Sequence, residues 1–130
     1  MKRIILESPY KGNIKINEMY AEFAMKDCLI NHNEAPYASH LLYTRKYVLK
    51  DHIENERKLG IIAGFYWRDV AEKTVFYADL GMSSGMVKGK VDCERKGIKY
   101  EIRYLPKDLW NKFLNAMEKE GIEVIRKGAR

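Results

Sequence analysis

A chain of 130 residues and 15.3 kDa fits one domain and leaves no room for two. Its 46% hydrophobic and 32% charged residues can fill a core and cover it, which excludes disorder over most of the length. The net charge of +6 permits an anionic partner, but Arg126, Lys127 and Arg130 supply half of it, so nucleic acid is not the expected partner.

No apolar run approaches the roughly 18 residues that span a bilayer. Met1 to Tyr10 meets Glu7 and Pro9 and lacks the apolar centre of a signal peptide. The expectation is a cytoplasmic protein without a membrane partner. Cys28 and Cys93 stand far apart, too sparse for a disulfide framework, and are read as buried thiols.

Arg3 to Leu6 is a short apolar run that stops at Pro9, the first predicted strand. A helix fits Ile16 to Ile30, with apolar residues at three- and four-residue spacing. Ala35 to Tyr43 reads as a short second strand running into a loop. A second helix opens at Asp51 or His52 and runs to about Trp67, with acidic residues in its first turns, where they suit the helix dipole. In it, Phe65, Tyr66 and Trp67 are expected in the core. Thr74 to Ala78 is the third strand. Glycine-rich Gly81 to Gly89 leads into a helix reaching Lys96.

Ile98 to Tyr104 alternates, which predicts an edge strand with Ile98, Tyr100, Ile102 and Tyr104 on the dry face and Lys99, Glu101 and Arg103 on the wet one. A last helix starts near Pro106 and carries the stripe Leu109, Trp110, Phe113, Leu114 and Met117. Ile122 to Ile125 is a candidate fifth strand. The whole predicts an α/β domain over 1–125, a Rossmann-like open and mainly parallel sheet of about five strands with helices on both faces, and a basic tail over 126–130.

In such folds ligands bind beyond the carboxyl ends of the strands. That rule selects Glu7, Ser8, Pro9, Tyr10, Gly12 and Asn13 after the first strand, and Ser39, His40 and the Tyr43-Thr44-Arg45 loop after the second. After the third it selects Asp79, Gly81, Ser83, Ser84, Gly85 and Met86. Glycines at a strand-to-helix turn let a ligand approach the backbone, and the helix N-terminus favours an anion such as phosphate. The same turn also reads as a device for helix packing. Asp79 suits a ribose hydroxyl or a structural cap. Glu56 and Arg57 read as an ion pair in solvent or as groups aimed into the crevice. His40 reads as structural or as a ligand contact. The three histidines lack metal-ligand spacing, and no motif names a cofactor.

Four segments resemble a small phage and bacterial domain family. They are Ser8-Pro9-Tyr10-x-Gly12-Asn13, Glu34 to His40, Glu56-Arg57-x-x-Gly60, and Asp79-Leu80-Gly81 with Ser84-Gly85-Met86-x-x-Gly89. That family is similar to the nucleoside 2-deoxyribosyltransferase superfamily, which includes nucleotide N-glycosidases. The resemblance covers about Arg3 to Tyr104. It implies a Rossmann-like fold, a nucleoside or nucleotide ligand, and a homo-oligomer with sites shared between subunits. It also implies a glutamate nucleophile two residues before the last glycine of the turn, where this chain has Val87. Valine cannot attack an anomeric carbon.

The expectation is therefore a protein that binds a nucleotide-type ligand without turning it over, as a phage protein sequestering a host nucleotide signal would. The alternative is an N-glycosidase or deoxyribosyltransferase-like enzyme in which another carboxylate, Glu56, Asp79 or Glu7, replaces the nucleophile.

Overall fold

The computed structural model describes residues 1–121. Four strands and four helices alternate: β1 (Lys2–Glu7), α1 (Ile14–Asn31), β2 (Glu34–Tyr37), α2 (Glu54–Arg68), β3 (Lys73–Tyr77), α3 (Ser84–Lys96), β4 (Tyr100–Arg103) and α4 (Lys107–Lys119). A single helical turn, Ser39–Leu41, follows β2. The strands form one parallel sheet in the order β2-β1-β3-β4. The candidate strand Ile122 to Ile125 and the tail 126–130 lie outside the described residues.

Residue alternation along each strand divides the sheet into two faces. Ile4 and Leu6 of β1, with Val75 and Tyr77 of β3, join Tyr20, Ala24 and Cys28 of α1 and Leu109, Phe113, Leu114 and Met117 of α4 in the main core. The predicted stripe of the last helix thus does what its spacing requires. On the other face Phe76 packs with Met86 and Cys93 of α3 in a smaller core. Both cysteines are free and buried.

Two sequence expectations are overturned. Phe65, Tyr66 and Trp67 are exposed, and α2 contains no buried residue. Length and hydrophobicity suggested burial, but this helix lies over the edge of the body with its residues at most half-buried, and near its end Trp67 stacks on Tyr37 with ring centroids 5.3 Å apart. In β4 the expected faces hold only in part, since Ile98 and Tyr100 pack against the smaller core as the dry face should. Ile102 is exposed and Arg103 is buried. The guanidinium of Arg103 reaches Glu34 through two bonds of 2.8 and 3.0 Å, and Nη1 donates to the Tyr77 hydroxyl at 3.1 Å. Lys73 also pairs with Glu34 and with Glu101, each at 2.9 Å. A buried cation is tolerated only with such partners, and these came from strands distant in sequence.

The strand order reverses between β1 and β3: the chain leaves β1 for β2 on one side and returns to β3 on the other. Crevices open above carboxyl ends at such points. The loops that follow β1, β2 and β3 therefore set the search for a site.

Candidate functional site

An open cleft lies where the loop after β1 meets the long connection from β2 to α2. Its volume is about 600 Å³. Tyr10, Lys11 and Ile14 form one wall, and Thr44, Lys50, Asp51, His52, Glu54 and Arg57 form the other. A cavity of that size admits a nucleotide-sized molecule.

Local chemistry holds both walls. Asn13 caps α1, accepting from the Ile16 N–H at 3.2 Å, and this sets the end of the β1 loop. Asn17 is buried and clamps the same loop, its amide donating to the Tyr10 carbonyl at 2.8 Å and to the Lys11 carbonyl at 3.1 Å. On the other wall the Thr44 hydroxyl donates to the His40 carbonyl at 2.7 Å. The Glu56 carboxylate accepts from the Lys50 N–H at 3.0 Å, which fastens the connection to the first turns of α2. Arg45 pairs with Glu18 of α1 and so ties the connection to the body.

Charge in the cleft is mixed. Arg57 Nε stands 3.9 Å from Asp51, and Glu54 is paired with Lys58 at 3.2 Å. Lys11 and Lys50 add two cations. His40 stacks on Tyr10 with centroids 4.7 Å apart. Burial lowers its pKa, although the Asp51 carboxylate opposes this, so the imidazole is held toward its neutral form.

Of the residues selected from the sequence, Tyr10, Thr44 and Arg57 line the cleft, and His40 backs Tyr10. Glu56 braces the loop at its rim. Ser8 and Pro9 are buried beneath, Gly12 and Asn13 are exposed on the turn into α1, and Ser39 begins the helical turn after β2. Gly12 and Gly81 have φ of +102° and +91°, so both turns require glycine for the backbone itself.

The turn after β3 stands apart from the cleft lining. Gly81, Ser83, Ser84 and Gly85 are exposed, whereas Met86 is buried in the smaller core. The Ser83 hydroxyl accepts from the Met86 N–H at 3.2 Å, so it caps its own helix. Asp79 is a clamp: Oδ2 accepts from the Tyr20 hydroxyl at 2.6 Å and from the Leu105 N–H at 2.9 Å. Val87 is exposed on the first turns of α3.

Glu7 ends β1 on the α3 side. Burial raises its pKa, partly opposed by Arg68 at 3.5 Å. Arg68 also bonds Asp92 at 3.2 Å. The cleft's own carboxylates are Asp51 and Glu54, which the strand-end rule passed over because they lie far along a loop. The signal that could have found them is the run Lys50-Asp51-His52 placed just before the acidic start of a helix. Among the described residues, no group of three or more His, Cys, Asp or Glu could hold a metal ion. None of their helices is long and apolar enough to cross a membrane.

Comparison with known families matches residues 2–103 to the domain of unknown function DUF7768. No curated protein and no solved structure matches.

Proposed function

We propose that this chain, which belongs to the DUF7768 family, binds a nucleotide-type small molecule in the cleft between the β1 and β2 loops and does not turn it over. In this reading the domain is Rossmann-like, as its resemblance to the nucleoside 2-deoxyribosyltransferase superfamily implies. The observation that carries the reading is the cleft: its size, its place beyond the carboxyl ends of parallel strands, and its mixture of the Tyr10 ring with Lys11, Lys50 and Arg57. An aromatic ring suits a base, and cations suit a phosphate.

Binding is favoured over turnover because the carboxylates first in line for chemistry are engaged elsewhere. Asp79 holds Tyr20 and Leu105, Glu56 holds the Lys50 backbone, and Glu7 pairs with Arg68. Val87 supplies no nucleophile. Hydrolysis would fall to Asp51 or Glu54.

The reading is tested by titrating nucleosides and their phosphates calorimetrically, against the wild type and Arg57→Ala. A phosphorylated nucleoside should bind, and the variant should weaken it about tenfold or more, the loss expected for one charge-assisted contact of 1.5–3 kcal/mol. Equal affinity in the two proteins would remove the cleft from the account. Release of free base during the titration would support the enzymatic alternative.

A further inference from the structure

The exposed apolar side chains of α2 lie on the side of the helix away from the sheet. At 100° per residue, Leu59, Ile62, Phe65 and Tyr66 fall on one stripe, and Val70 just beyond the helix end continues it. Leu59 is 56% exposed, Ile62 50% and Tyr66 72%. The opposite side makes the contacts with the protein's own body, since a Cβ at Gly60 would lie 3.5 Å from Leu49 and Trp67 stacks on Tyr37. Arg68 and Lys96 cover one side of the Phe65 ring, but no residue of α2 is fully buried, and a helix with so much apolar surface in solvent is not stable on propensity alone.

The charges around the stripe say what covers it. Lys58 and Asp69 are eleven residues apart, so on helical geometry they project about 20° from one another and roughly 16 Å apart along the axis. They lie at the two ends of the stripe with opposite sign. A surface with a cation at one end and an anion at the other complements itself when turned by a twofold axis. Two antiparallel copies of α2 would set each Lys58 against the other copy's Asp69, with Ile62 against Phe65 and Tyr66. Lys58 now forms only an exposed pair with Glu54, which costs little to rearrange. The five apolar residues expose roughly 500 Å² per copy, so a pair would bury about 1,000 Å², enough for a specific interface.

We infer that α2 is the contact surface between two copies of this chain, packed antiparallel along the Leu59–Ile62–Phe65–Tyr66 stripe. This holds whatever ligand the cleft takes. Because the first turns of α2 line the cleft, the pair would also steady one of its walls.

Sedimentation over micromolar to submillimolar concentrations tests the inference. The wild type should be a dimer, and Ile62→Asp a monomer with unchanged circular dichroism. Lys58→Asp and Asp69→Lys should each weaken the dimer, and the two together should restore it. Should Ile62→Asp fail to fold, the charge exchange still decides. A wild type that stays monomeric throughout would overturn the inference, whatever else covers the helix. So would a dimer unmoved by Ile62→Asp, or a double exchange that restores nothing.

Discussion

Asp79 joins three elements through one carboxylate. Its Oδ2 takes a hydrogen bond from Tyr20 of α1 and another from the Leu105 N–H ahead of α4, and the Asp79 N–H donates to the Tyr20 hydroxyl at 2.9 Å. Asp79→Ala removes the acceptor and leaves buried donors behind, so it should cost about 2–3 kcal/mol in urea unfolding. The sequence read this residue as a ribose contact or a cap. It could not show Tyr20 arriving from 59 positions away.

Glu34 carries a second residue-scale prediction. Burial alone would raise its pKa, but hydrogen bonds from Arg103 and Lys73 outweigh that and hold it at about 2. A depressed carboxylate gives stability that is present above its unfolded value near 4.5 and is lost as the pH falls toward 2. Unfolding free energy should therefore drop across that window. Arg103→Met leaves Glu34 without its bidentate partner, should cost roughly 3–5 kcal/mol at neutral pH, and should flatten the acid dependence. An unchanged acid profile in the variant would show that the pair does not stabilise the sheet.

At the scale of elements, helices and strands were legible where periodicity and burial agree. In α4 the three- and four-residue spacing matches the packed face. β4 shows the limit. Its alternation was real and Ile98 and Tyr100 pack inward, but Arg103 on the side that looked polar is buried as well, because it finds Glu34 and Tyr77 there. Pattern tells which residues share a face and not which face is dry. α2 failed for a related reason, since a hydrophobic helix reads alike whether or not its own core covers it.

The start of α3 separates two places for an anion. Ser83→Ala should lose the cap on the Met86 N–H, costing about 1 kcal/mol of stability. With the ligand in the cleft, its affinity should be unchanged. A large loss of affinity in this variant would return the phosphate to the glycine-serine turn.

At the scale of the whole molecule, strand and helix order gave the α/β class, the strand-end rule selected Tyr10 and Thr44 of the cleft and His40 behind Tyr10, and Arg57 came from the charged start of the second helix. The rest of the wall that holds Thr44 and Arg57 comes from the end of a connection without periodicity and the start of α2, which is why Lys50, Asp51, His52 and Glu54 did not stand out in the sequence. Net charge was a poor guide, because the cleft sets Lys11, Lys50 and Arg57 against Asp51 and Glu54.

The most direct measurement is to purify the protein and Arg57→Ala side by side, denature both, and identify the released small molecules by chromatography and mass spectrometry. An intact nucleoside phosphate in stoichiometric amount from the wild type, and much less from the variant, is the expected result. Recovery of no such compound, together with no binding across a panel of nucleotides, would contradict the account.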